Sequence, residues 1–201
     1  RRVRDQMENP PRTSDGGLLK FLQEIRILRP IEVEPPIGSR ASPRFYVLDI
    51  VAGDDEPPVD PLELLQAHRA DGVLCYFSAL VLHGLTSQPA SSHHLALLQP
   101  RKETAKDPVP PTKSDRKGPR DDRQSPNPLG TLAFTHDGLP YFTSRRRFPL
   151  TKVQTRYLNA RTIVRTTTIE QTLLDTLHRP QRCGGPEVVF ESWERGLSLI
   201  D

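Results

Sequence analysis

The chain has 201 residues, with 28 Lys and Arg against 25 Asp and Glu, six His, 21 Pro and two Cys. That length suits one or two modest domains, and two cysteines exclude a disulfide framework. Hydrophobic residues make up 35% and aromatics 6%, so part of the chain is expected to stay outside any packed core.

In chain order, Ser14 or Asp15 caps a short amphipathic helix over 14–26, with Leu18, Leu19, Leu22 and Ile25 at helical spacing. Residues 27–50 then read as two strands around a turn-rich loop. Asp60, Pro61 and Glu63 give a capping residue, a first-turn proline and a capping-box acid, which start a helix that ends at Asp71-Gly72. The apolar run from Val73 to Leu85 holds a short helix that Ser78 can cap and Gly84 can end in the left-handed conformation. Residues 93–98 read as a buried strand.

Residues 99–128 contain seven Pro, eight Lys/Arg and five Asp/Glu. They cannot bury enough surface to offset their ordering entropy, and so read as a disordered linker or insertion. Asp137-Gly138 marks a hairpin, and Pro140 makes its second run an edge strand or a bend. A further hairpin turns around Asn159-Ala160. Thr167 and Glu170 form a capping box into a helix that Pro180 ends, and a last helix carries Val188, Val189 and Trp193 as its apolar stripe.

The charge is segregated. Residues 49–71 carry seven acids and one base. Residues 141–165 hold Arg145, Arg146, Arg147, Lys152, Arg156, Arg161 and Arg165 with no acid, a basic face that would suit nucleic-acid phosphates, an acidic protein or merely solvent. In the first 50 residues, a helix followed by a hairpin is the end of a winged helix-turn-helix, or else an ordinary surface unit. As a wing, its candidate DNA contacts are Lys20, Arg26, Arg29, Arg40 and Arg44.

Catalytic and metal patterns fail on spacing. His93 and His94 are adjacent, so on a strand they point to opposite faces, and Cys75 and Cys183 make no zinc-type spacing. Ser78 is not in a hydrolase elbow, and Glu170 and Asp175 do not share a helix face as a nuclease metal site would want. No phosphate-binding glycine loop is present. No metal, no cofactor and no enzymatic activity are therefore expected. His83 reads as a partly charged imidazole suited to a helix C-terminus. The cysteine usage suggests a reducing, cytoplasmic setting, no membrane span or signal peptide is visible, and Arg1 in place of Met suggests a fragment.

The segment YFSALVLHGL (76–85), followed by TIEQTLLDTLHRPQRCGG (168–185), resembles the AbiEi-type antitoxins and transcriptional regulators of type IV toxin-antitoxin systems. That family carries a "SAL..hGL" helix and, later, an "ERTLLD…P…GG" helix and loop. The matching positions include Ser78, Leu80, His83, Gly84, Glu170, Thr172 and Asp175, and the family's Arg after the Glu is Gln171 here. The resemblance implies a winged helix that, where the N-terminal module is complete, represses its own operon through operator DNA, and a larger domain that counters a nucleotidyltransferase-type toxin; residues 1–13 are too short and polar to supply the module's two earlier helices. Leu80, Leu173, Leu174 and Leu177 are expected in the core, with Thr172 and Asp175 as polar groups that could be exposed.

The expected fold is α+β. It comprises a partial winged helix-turn-helix over 1–50 (helix 14–26, wing 27–50) and a mixed α/β antitoxin domain over 51–201 with the 99–128 insertion. The expected function is antitoxin and autorepressor. The alternatives are the regulatory segment of a larger nuclease, or a protein-interaction module using the 141–165 basic face.

Overall fold

The structure, a computed structural model, describes residues 14–39, 42–48, 59–99, 127–148, 150–160 and 162–200. Its first element, α1 (Asp15–Glu24), is capped by Ser14, whose Oγ accepts from the Gly17 amide at 3.2 Å. The chain leaves α1 through Arg26 at φ 57° and forms an antiparallel hairpin of β1 (Leu28–Ile31) and β2 (Phe45–Leu48). No residue of α1 is buried.

Asp60 caps α2 (Pro61–His68), its Oδ1 accepting from the Leu62 amide at 2.7 Å and the Glu63 amide at 3.3 Å. Glu63 closes no capping box. Its Oε1 accepts from Asn159 Nδ2 at 3.2 Å and from Thr162 Oγ1, which fastens α2 to a distant turn. Val73–Leu74 is a two-residue strand, β3, and α3 spans Phe77–His83. Tyr76, not Ser78, is the N-cap of α3 and its side chain makes no capping hydrogen bond, whereas Gly84 ends the helix at φ 70° as its position suggests.

Four further strands follow β4 (His93–Gln99): β5 (Thr131–His136), β6 (Leu139–Arg147), β7 (Val153–Tyr157) and β8 (Ile163–Thr167). The helix α4 (Ile169–His178) is capped by Thr168, whose side chain accepts from the Gln171 amide. The cap falls one residue later than the sequence suggests, because the Thr167 hydroxyl is engaged with Thr172 Oγ1 at 2.8 Å. A 3-10 turn over Pro180–Cys183 leads into α5 (Pro186–Gly196).

The six longer-range strands make one mixed sheet in the order β5-β6-β4-β3-β8-β7. Alternation along the central strands buries both faces. Leu74 and Leu95 pack with Leu62, Leu64 and Leu65 of α2 and with Phe134, Tyr141 and Val164. Their neighbours Val73 and Ala96 pack with Phe77 and Leu80 of α3, Leu173 of α4 and Val188 of α5. Each large side chain so buried contributes about 1.5–3 kcal/mol.

Asp137 and Gly138, both at positive φ (49° and 74°), form the tight turn between β5 and β6. Pro140 does not make β6 an edge. It sits opposite Thr135 of β5, and pairing with β4 begins one residue later at Tyr141, so the missing amide costs no bond in the β4 ladder; the edge strand is β5.

The hairpin is fastened to that edge. Glu34 and Thr135 exchange backbone hydrogen bonds of 2.8 Å each, and His136 Nδ1 donates to the Glu32 carbonyl at 2.9 Å. The Phe45 ring meets that of Phe134 at a tilt of 55°, 5.0 Å between centres, and is buried in the α2 core. Gln99 ends β4 and Asn127 and Pro128 precede β5, while the remainder of the expected insertion lies outside the described residues. The described chain is α+β, and no helix in it is long and apolar enough to cross a membrane.

Candidate functional site

The motif residues converge, and they converge inward. Ser78 sits inside α3 with its Oγ accepting from the His94 amide at 2.8 Å, 3.5 Å from His93 Nδ1. Leu80 is fully buried. His83 is also buried, and its Nε2 donates to the Thr167 carbonyl at 2.7 Å, which leaves Nδ1 to accept from Arg156 at 3.1 Å. The second contact requires a neutral ring, since only an unprotonated Nδ1 can accept. Burial lowers the His83 pKa and Arg156 acts in the same direction, together outweighing the Thr167 carbonyl, so the expected partly charged imidazole at a helix end is corrected to a neutral tether between α3 and β8.

Of the motif residues on α4, Glu170 is exposed. Thr172 and Asp175, expected as exposable polar groups, are buried, whereas Leu174 and Leu177, expected in the core, are exposed; Leu173 alone of the three leucines is buried. Asp175 is the reason for the rotation. Its two oxygens grip Arg146 of β6 through both guanidinium nitrogens, Nη2 to Oδ1 at 2.6 Å, and Oδ1 also accepts from Gln171 Nε2 at 2.9 Å. Gln171, standing where the resembling family has Arg, therefore acts as a neutral second partner of the same carboxylate. Burial disfavours the Arg146 charge, but the Asp175 hydrogen bonds and charge outweigh it and hold its pKa above the ordinary range.

Beside this pair lies Tyr76, at φ 53° and ψ −131°, a conformation costing a non-glycine residue on the order of 1–3 kcal/mol. The surroundings enforce it. The Arg146 and Arg182 guanidinium carbons lie 5.4 and 5.2 Å from its ring centre, and the His94 ring meets it edge-on at 5.7 Å. Arg182, 2% exposed, donates from Nε to the Pro128 carbonyl at 2.9 Å and lies 3.4 Å from the Tyr76 hydroxyl. Cys75 and Cys183 complete the cluster as buried thiols, and burial pushes Cys75 up to about 12, too high for a thiolate nucleophile at neutral pH. His94 is lowered to about 3 and His93 to about 4 by burial, so neither is charged near neutrality.

Nothing in the sequence marked Tyr76 and Arg182 as members of this cluster, because they are far apart in the chain and no local pattern makes an arginine turn inward. The assembly is a polar lock joining β4, β6, α3 and α4. The Arg146–Asp175 pair, Gln171 and the Arg182–Pro128 contact tie its polar groups to one another, whereas His93 Nε2 is buried with no hydrogen-bond partner. Among the described residues, no group of three His, Cys, Asp or Glu is placed to hold a metal ion.

The basic run of 141–165 is not one face. Arg145 and Arg147 stand opposite Leu97 and Gln99, on the other side of the sheet from Arg146, which turns inward. Lys152 and Arg156 belong to the β7 edge, separated from β6 by three strands, and Arg156 is drawn to His83. Arg165 donates to the Asp71 carbonyl at 2.9 Å. Arg161 lies outside the described residues.

The expected DNA contacts do share one region, around α1 and the hairpin. Lys20 is exposed on α1, 3.9 Å from Glu24, and Arg26 is exposed at the turn into β1. Arg29 is half-buried within β1, Arg44 is exposed immediately before β2, and Arg40 lies outside the described residues. Arg44 also lines a cleft of about 590 Å³ between the hairpin and the β5–β6 turn, together with Glu32, Tyr46 and His136. Compared with known proteins, the chain matches no family model and no curated protein.

Proposed function

We propose that the chain is a cytoplasmic DNA-binding regulator of the antitoxin type, non-enzymatic, in which α1 and the β1–β2 hairpin act as the last helix and wing of a winged helix-turn-helix. One observation carries the reading. Helix α1 buries none of its residues, runs directly into an antiparallel hairpin, and leaves Lys20, Arg26 and Arg44 facing solvent on that unit. A helix in that position enters the major groove while the hairpin lies along the backbone, where lysine and arginine meet phosphates.

The attachment of the hairpin to β5 supports the same reading. Backbone bonds to Thr135 and the Phe45–Phe134 contact hold the unit at a fixed angle to the sheet, which is what a contact surface needs to keep its register on DNA. The sheet and its polar lock then serve as the platform. Countering a nucleotidyltransferase-type toxin rests on the resemblance of the α3 and α4 segments alone.

Growth rescue tests the antitoxin part. Co-expression with the nucleotidyltransferase-type toxin of the same operon restores growth if the reading holds, and rescue is lost with Asp175→Ala, which disrupts the platform. Undiminished toxicity beside well-folded wild-type chain refutes it.

A further inference from the structure

Helices α4 and α5 pack side by side in opposite directions. Trp193 Nε1 donates to Thr176 Oγ1 at 3.0 Å, and Gly196 lies so close to Leu173 that an added Cβ would stand 2.8 Å from its side chain. These contacts fix which sides of the two helices face outward. Phe190 of α5 and Leu197, which follows its last residue in a 3-10 turn, flank Trp193 at positions i−3 and i+4, and on α4 the outward residues are Leu174 and Leu177. The four are 77%, 63%, 57% and 61% exposed.

We infer that this outer α4–α5 face is a self-association surface on which a second copy of the chain packs about a two-fold axis. A large apolar side chain presents roughly 200 Å² when bare. The four therefore leave on the order of 500 Å² uncovered, about the apolar share of one partner's side of a standard ~800 Å² contact. Scattered exposed leucines need no explanation, whereas four large apolar residues on two adjoining helices present about as much as a monomer's largest patch, which is often a functional one.

Charge placement selects a copy of the same chain as the occupant. Glu170 stands at the N-terminal end of the α4 strip, and His178 with Arg179 at its C-terminal end. Antiparallel pairing of two α4 helices, centred on Leu174, sets Glu170 of one copy opposite His178 of the other at both ends of the contact, as a two-fold axis demands. Each end of the strip thus complements the other end, and no second kind of protein is needed to satisfy it.

Sedimentation of the intact chain over the micromolar range tests the inference. The expected result is a reversible dimer that Phe190→Glu and Leu177→Glu each weaken by about tenfold or more, with unchanged circular dichroism. Leu174→Cys should cross-link to itself under mild oxidation, since the symmetry axis brings the two positions together and the native Cys75 and Cys183 are buried. A chain that stays monomeric throughout, that binds only a different protein through this strip, or whose dimer ignores both charge substitutions overturns the assignment.

Discussion

Arg146 and Asp175, 29 residues apart, hold each other through two parallel hydrogen bonds in a site where the carboxylate is almost wholly buried. The pair turns two charged side chains inward. It explains why an arginine in the middle of a basic run turns away from solvent, and why an aspartate on an apparently amphipathic helix turns into the core.

Removing one member leaves the other charged and unsolvated. Asp175→Ala should therefore destabilise the fold by about 3–5 kcal/mol in urea unfolding. The double replacement Arg146→Met with Asp175→Leu should cost clearly less than that single change, because no charge is then stranded. A double variant as unstable as the sum of its singles would show that the two residues act independently.

Acid should weaken the protein before its carboxylates titrate. His93 and His94 fold with pKa values lowered to about 4 and about 3 from 6.5, so their stabilisation is complete above pH 6.5. As pH falls below 6.5 the unfolded chain takes up protons that the folded chain refuses. Stability should drop by about 3 kcal/mol between pH 7 and 5, seen as a falling urea midpoint. Replacing both histidines with Gln should flatten that slope, and an unchanged slope would remove them as its cause.

Two glycines should respond in opposite directions. Gly184 has φ 90°, and an added Cβ would stand 2.8 Å from both Phe77 and Val188, so Gly184→Ala should cost more than about 1 kcal/mol. Gly16, in the first turn of α1, has open space around it, and Gly16→Ala should stabilise by up to about 1 kcal/mol. Thermal unfolding of the two variants checks both signs.

The helix starts at Ser14 and Asp60 were legible because capping is a local bond between a side chain and the next amides. Strand β3 was not. Two residues become a strand only by pairing with β4 on one side and β8 on the other, and neither partner is near in sequence. The buried side of α4 was misread for a related reason. Leu173, Leu174 and Leu177 suggest an apolar stripe, yet the side facing the core carries Thr172, Leu173, Asp175 and Thr176, whose polar groups find partners on β6, on β8 and within the helix itself. Tyr76 and Arg182 were invisible to local patterns, since only the fold brings them together. The grouping of Lys20, Arg26 and Arg44 around one helix and hairpin was readable from order alone.

If the hairpin and the exposed lysine of α1 lie along phosphates, their charges act without regard to base sequence. Lys20→Ala together with Arg44→Ala should lower affinity about equally on every duplex and reduce the salt slope by about 2, roughly one for each lost contact. A loss confined to one DNA sequence would move these residues from backbone to base contacts.

The central claim is that this chain binds duplex DNA through α1 and the hairpin, and fluorescence anisotropy with a labelled duplex from its own operator region tests it most directly. The account predicts saturable binding whose logarithm falls linearly with the logarithm of salt concentration, and whose affinity drops when Lys20 and Arg44 are neutralised. Absence of binding at low salt by folded protein, or binding indifferent to both residues, would contradict it.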